Sequence, residues 1–273
     1  MTISNILFVG STQMPADCAA NSWCSEGYNI TQLQLMRAFR KCGVTNILGL
    51  SFQMSSSWHN SRILNPGKRS LLESGIVIWE LPFLAFGPLQ VLSQALVFIW
   101  RLLSYGSVNR PDAIFVSSPF TRIMLPALIA AAMWGVPSVI LAADLKPPSD
   151  AQNVFRRLQL WLRQQTIHYA PRVVVFSSYL GRDLRPNQPW LRMVRPPAPG
   201  LLDLAIIRPE TTCSIAYYAG TMSEVYGANL FLQSIRHIHD PAYRFWFSGR
   251  GPLDETYSPP RAMMTTSSFG RLT

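Results

Sequence analysis

Apolar and polar positions along the chain alternate between short runs and helical stripes. "ILFVG" (6–10) is an apolar run closed by glycine, which predicts a strand. In "NITQLQLMRAFRKCG" (29–43), Ile30, Leu33 and Met36 recur at helical spacing, as do Leu35 and Phe39, and Gly43 is a natural stop. "NILGLS" (46–51) predicts a second strand and, after a Ser- and Gly-rich loop, "GIVIWELP" (75–82) a third. "RPDAIFVSSP" (110–119), "VPSVILAAD" (136–144) and "PRVVVFSS" (171–178) follow in the same manner. The second of these is apolar throughout, as a strand covered on both faces of a parallel sheet is. "TRIMLPALIAAAMWG" (121–135) and "AQNVFRRLQLWLRQQTIHYA" (151–170) predict helices between them. In the latter, Val154, Leu158 and Trp161 form one stripe, and Arg156, Arg157 and Arg163 lie mostly off it. "SYLGRDL" (178–184) opens a short further helix.

Strands alternating with helices of this length predict an open, mostly parallel α/β sheet. The proline-dense "RPNQPWLRMVRPPAPG" (185–200) reads as a linker, which divides the chain into residues 1–190 and 191–273. The second part offers a strand at "SIAYYAG" (214–220), a helix from about Ala228, and a strand at "YRFWFSGRGP" (243–252). Beyond Pro252 no period persists. Two strands and one helix do not complete a doubly wound layer, so this domain is expected to be unusually small or to stop part-way.

Composition sharpens this picture in two places. Hydrophobic residues are 48% and charged residues 14% of the chain, which excludes a disordered protein and implies large buried faces. The net charge of +10 comes from 24 basic against 14 acidic residues, and 21 of the basic residues are Arg. Guanidinium suits phosphate groups or an anionic surface. No nucleic-acid-binding module or aromatic-basic stripe accompanies that charge, so no nucleic acid partner is expected. From Leu81 to Trp100 the chain carries no charge over 20 residues, long enough to span a bilayer. Pro82, Gly87, Pro88 and Gln94 interrupt it, and a helix starting at Pro88 would run to about Leu103. Spanning, burial and membrane-surface contact all stand as readings of that stretch.

Four cysteines, Cys18, Cys24, Cys42 and Cys213, lack metal or disulfide spacing, which suits a reduced, cytoplasmic setting. The first strand follows the N-terminus with no basic leader. His237 and His239 face different sides of a helix, so no metal site is expected. Ser117 and Ser118 read as a turn before Pro119.

The order of "RPDAIFVSSP", "VILAADLKP", "APRVVVFSSYLGRDL", "VRPPAPG", "YYAGTMSEVYGANLFLQSI" and "FWFSGRGPLDE" resembles the retaining nucleotide-sugar glycosyltransferases of family 4, over roughly residues 5–255. That resemblance implies a GT-B fold of two Rossmann-like domains, the second incomplete here. It further implies a nucleotide-sugar donor, a glycan or lipid-linked acceptor of surface polysaccharide synthesis, and no further cofactor. A peripheral place at the inner membrane face fits the basic charge and the uncharged stretch. Donor-side residues would be Gly220, Thr221, Gly227, Gly249, Arg250 and Gly251. Relatives carry Arg just past the first of these glycines and Lys before the next, where this chain has Thr221 and Tyr226. Asp144 in "AADLKP" takes the acidic position at the sugar or acceptor, and the alternative is a turn-capping Asp. Gly27, Tyr28 and Asn29 form the acceptor-side loop, in the crevice at the strand C-termini. The family's Glu-x(7)-Glu pair is missing, and Glu73 and Glu80 are one residue too close. The chain therefore reads as C-terminally shortened, with weak or no turnover expected by itself. Rival readings are a non-catalytic glycan- or partner-binding remnant and a GT-B nucleotide-sugar epimerase.

Overall fold

The computed structural model describes residues 3–19, 26–52, 64–117, 120–142, 154–193, 214–219, 228–235, 237–238, 240, 243–248 and 270–272. The chain divides into two compact units, Met1–Arg195 and Pro196–Thr273.

The first unit runs β1 (Asn5–Gly10), α1 (Pro15–Ala19), α2 (Glu26–Lys41), β2 (Asn46–Ser51), β3 (Leu64–Asn65), β4 (Lys68–Glu73), β5 (Ile76–Glu80) and β6 (Phe83–Leu84). It continues through α3 (Gly87–Val108), β7 (Ala113–Ser117), α4 (Thr121–Trp134), β8 (Ser138–Ala142), α5 (Val154–His168), β9 (Val173–Val175), α6 (Ser178–Arg182) and β10 (Trp190–Arg192). Eight strands form one sheet in the order β10-β9-β8-β7-β1-β2-β5-β4. Every neighbouring pair is parallel except the edge pair of β4 and β5.

Alternation along the strands sends side chains to two cores. Ile6 and Phe8 of β1 join Ile47, Ile76, Ile78 and Phe115 beneath Leu33 and Met36 of α2. Leu7 and Val9 join Leu50, Ile114 and Val116 on the other face, against Phe98 and Leu102 of α3 and Met124 and Ala127 of α4. Helices on both faces are what parallel crossovers require.

Five local features depart from the sequence pattern. The "loop" before β5 ends in a hairpin: β4 pairs antiparallel with β5 across Ser74 and Gly75, and Gly75 has φ +80°, which a two-residue turn uses. The helix expected from Pro88 to Leu103 spans 22 residues, Gly87–Val108. Gly106 does not stop it, because it is where the Trp134 ring of α4 lies against the backbone and a Cβ would collide. Ile30 points outward at 44% exposure, and the buried stripe of α2 is instead Asn29, Gln32, Leu33 and Met36. The proline-dense segment contains β10, which extends the sheet beside β9 through Trp190–Arg192. On α5, Val154, Leu158 and Trp161 are exposed, and burial falls on Thr166 and Ile167 at its end.

In the second unit, β11 (Ser214–Ala219) pairs parallel with β12 (Tyr243–Ser248), and α7 (Ala228–Ile235) connects them. β13 (Gly270–Leu272) adds an antiparallel partner to β12. That third strand lies beyond Pro252, where the sequence shows no period; three residues are too few to display one.

Candidate functional site

One row of residues crosses the C-terminal rim of the parallel sheet. Gly10 is in register with Ser117 on one side and Ser51 on the other, Ser51 with Glu80, and Glu80 with Lys68. Residues in register share a face, here the face that α2 covers. One step below, the same strands supply Phe8 and Ile78 to the core, so the chemistry changes from apolar to polar within one row.

Helix α2 and the loop after β1 close over this row. Gly10 has no side chain, and its place is taken by the Gln32 amide; a Cβ on Gly10 would collide with Gln32 Oε1. Gln32 Oε1 accepts from the Ser11 backbone N–H at 3.2 Å and from Thr12 Oγ1 at 3.0 Å. Asn29 pairs twice with Gln13, accepting from its N–H at 2.8 Å and donating to its carbonyl at 3.1 Å. The Tyr28 hydroxyl lies 3.0 Å from Ser117 Oγ. Gly27 is exposed in the first turn of α2, and its carbonyl accepts from Thr31 at 2.8 Å. Thus the polar residues of α2 hold the loop of residues 11–13 against the strand end through the Ser11 and Gln13 N–H groups, the Gln13 carbonyl and the Thr12 hydroxyl.

At the other end of the row, Glu80 is 6% exposed, and its Oε1 has no hydrogen-bond partner among the described residues. Ser51 Oγ beside it is equally buried and equally unpartnered. Burial, and next the charge of Asp17, push the Glu80 carboxyl up to about 7, while Lys68 pulls it down. Lys68 in turn binds Asp17 Oδ2 at 2.9 Å, which raises the lysine's own pKa. A carboxyl poised between protonated and ionised forms at neutral pH can accept or donate a hydrogen bond to a hydroxyl at this rim. On the opposite face, Arg122 donates to the buried Gln94 at 2.8 Å, and burial lowers its pKa to about 10, so it stays charged at neutral pH.

Of the residues singled out from sequence, Tyr28 and Asn29 stand at this rim with Gly27 at its outer edge. Asp144, and Gly220, Thr221, Gly227, Gly249, Arg250 and Gly251, lie outside the described residues. So do Ser118, His239, Cys24 and Cys213, while His237 and Cys42 are exposed. Among the described residues no group of three His, Cys, Asp or Glu side chains could hold a metal ion. Sequence reasoning missed Gln32, Ser51, Glu80 and the Lys68–Asp17 pair. The available signal was polar residues on otherwise buried periods: Gln32 beside Leu33, and Glu80 two after Ile78.

Residues 26–196 match the glycosyl transferase 4-like domain. No curated protein sequence matches the chain. Among solved structures, sucrose-phosphate synthase from Thermosynechococcus elongatus aligns with a TM-score of 0.58 at 14% identity, covering 90% of this chain and 62% of that one. An α,α-trehalose-phosphate synthase (UDP-forming) from Burkholderia xenovorans, in complex with glucose-6-phosphate, aligns with a TM-score of 0.58 at 9% identity, over 96% of this chain and 67% of that one. Arabidopsis thaliana UGT89C1 complexed with UDP-L-rhamnose aligns with a TM-score of 0.51 at 12% identity, over 92% and 69%. At these identities the likeness is one of fold, and the fold is of the GT-B glycosyltransferase type. The chain spans 62% of the length of sucrose-phosphate synthase.

Proposed function

The chain belongs to the glycosyl transferase 4-like family, and from that premise we propose that it transfers a sugar from a nucleotide-diphosphate donor to a glycan or lipid-linked acceptor, in surface polysaccharide synthesis. The observation that carries this reading is the polar row at the C-terminal rim of the sheet, from Ser117 through Ser51 to Glu80, where open α/β sheets bind ligands. A fold neighbour bound to UDP-L-rhamnose supports the donor class. In the transfer, an acceptor hydroxyl oxygen bonds to the anomeric carbon as the bond to the nucleoside diphosphate breaks. The diphosphate leaves with the electron pair and takes the hydroxyl proton. The transition state is oxocarbenium-like, and positioning rather than a protein nucleophile lowers its energy.

In this reading Gly27, Tyr28 and Asn29 border the acceptor, and Asp144 contacts the acceptor or the sugar. Gly220, Thr221, Gly227, Gly249, Arg250 and Gly251 hold the diphosphate through backbone N–H groups and one guanidinium. The protein works in the cytoplasm at the inner membrane face, and its acceptor is presented there.

A second reading, a non-catalytic glycan- or partner-binding remnant, is favoured by Thr221 and Tyr226 standing where relatives carry cations. One experiment separates the two. Purified protein is melted in the presence of UDP-, GDP- and dTDP-sugars, and the same donors, labelled in the sugar, are incubated with a lipid extract. A transferase gains melting temperature with one donor and moves label into the organic phase. A remnant does neither.

A further inference from the structure

A surface helix ordinarily shows one apolar stripe and one polar face. α3 shows two apolar stripes. Gln94, Phe98 and Leu102 are buried against the sheet and α4, as expected. Leu89, Leu92, Leu96, Trp100 and Leu103 form the outward row at intervals of three and four, with Leu96 58% and Trp100 57% exposed. The helix is long and apolar enough to cross a membrane. It nevertheless joins β6 to β7 as a crossover and is held along the sheet by Phe98 and Leu102, so it lies flat on the unit.

Next to its C-terminal half is a cavity of about 540 Å³, within the roughly 300–1,000 Å³ of ligand pockets. It opens at the N-terminal end of the strands, the end opposite the polar row. Its floor is Leu48, Val77 and Trp79, and Arg69, Tyr105 and Arg110 stand around it. No carboxylate lines it, and among the described residues none pairs with Arg69, Arg101 or Arg110. The nearby Asp112 is committed to the Ser4 and Asn5 backbone N–H groups, at 2.7 and 2.9 Å, which hold its carboxyl below the usual range.

The cavity and the outward row meet at one side chain. The Arg101 guanidinium lies 4.2 Å from the Trp79 ring centroid in the cavity floor and 4.2 Å from the Trp100 ring of the outward row. Its Nε is buried and has no hydrogen-bond partner among the described residues. Arg69 approaches the same Trp79 ring at 5.9 Å. α3, α4 and α5 together contain five Arg and no Asp or Glu.

We propose that α3 docks on an anionic phospholipid surface, its outward row Leu92, Leu96, Trp100 and Leu103 entering the acyl boundary while Arg69 and Arg110 of the adjoining cavity, with Arg101 on its Trp79 floor, receive an anionic headgroup phosphate. Charge decides the occupant. Two cations lining the cavity, a third stacked on its Trp79 floor and no lining carboxylate, beside an apolar helix face, complement an amphiphile with an anionic head. A zwitterionic surface would satisfy the helix but not the cavity. The inference rests on the peripheral membrane contact of the proposed function and names its surface and its lipid.

The test is flotation of the full chain with vesicles of phosphatidylcholine alone or mixed with phosphatidylglycerol, at constant salt. Native protein should float at least about tenfold better with the anionic mixture, since each basic residue at such a surface contributes roughly 1 kcal/mol. Leu96→Ser with Trp100→Ser should abolish flotation with both vesicles, and Arg69→Ala with Arg110→Ala should remove only the preference. Trp fluorescence then separates a headgroup site from diffuse charge. Short-chain phosphatidylglycerol below its micellar concentration should give a saturable change, lost in the double Arg variant. Because the outward residues carry no core contacts, the Leu96→Ser, Trp100→Ser protein should keep its melting temperature, which shows that it is folded. Four outcomes overturn the proposal: equal flotation on both vesicles, no flotation, an equal fluorescence change with inorganic phosphate, or a native dimer that the α3 variant converts to monomer. Sugar transfer to a soluble acceptor is measured in parallel: its persistence without vesicle binding overturns the docking alone, and its loss with binding intact overturns the transferase reading alone.

Discussion

α2 and α3 lie on opposite faces of one sheet and meet its core in the same way, yet their outer sides differ completely. α2 turns Arg37, Ala38 and Lys41 to solvent, and its buried side is partly polar, with Asn29 and Gln32 at the strand ends. α3 buries Phe98 and Leu102 and turns Leu92, Leu96, Trp100 and Leu103 to solvent. One helix turns polar groups inward at the candidate site; the other turns apolar groups outward. Each exception departs from the pattern that stability alone requires, which is where function is expected.

The comparison breaks most readily on α3 itself. Phe98→Ala should cost about 3–5 kcal/mol in chemical denaturation, since it empties a fully buried ring site. Leu96→Ser, two residues earlier on the outward row, should stay within about 0.5 kcal/mol of native. Equal costs would mean that the outward row is covered within the folded protein.

A smaller effect comes from Glu80 at the polar rim. Its carboxyl is raised from 4.5 to about 7 in the folded chain, so the folded state binds more protons than the unfolded state across that window. Stability present below pH 4.5 is therefore lost as pH rises through 7, by up to about 3 kcal/mol at roughly 1.36 kcal/mol per unit. Glu80→Gln should flatten this slope in melting curves between acid and neutral pH. An unchanged slope would show that Glu80 is solvated.

Comparable in size is the effect of Gln32→Leu. The substitution preserves the volume but strands the Ser11 N–H and the Thr12 hydroxyl, at about 1–3 kcal/mol for each group left unsatisfied. Fast amide exchange at Ser11 in the variant would confirm that Gln32 pins the loop.

The alternating architecture was legible because buried parallel strands such as residues 139–142 are apolar throughout and α2 and α4 end at glycines. The edge hairpin was not, because Lys68–Glu73 is an exposed strand with charges at three of its six positions, and such a strand has no apolar run. Ile30 misled the α2 stripe, since an apolar residue outranked Asn29 and Gln32 in any periodic reading. Only the register of β1, β2, β4, β5 and β7 brings Ser51, Glu80, Lys68 and Ser117 into one row; these residues lie up to 66 positions apart and no local spacing links them. Tyr28 and Asn29 were visible because they follow directly on the glycine loop after the first strand. The donor-side glycines rest on motif order alone.

The central claim, sugar transfer from a nucleotide diphosphate, is tested most directly by acceptor-dependent release of nucleoside diphosphate from purified protein, native beside Asp144→Asn. The account predicts weak but acceptor-dependent release with one of the UDP-, GDP- or dTDP-sugars, lowered about a hundredfold in the variant through lost positioning. No release from any donor, or equal release by both proteins, would contradict the transferase reading or the role of Asp144, respectively.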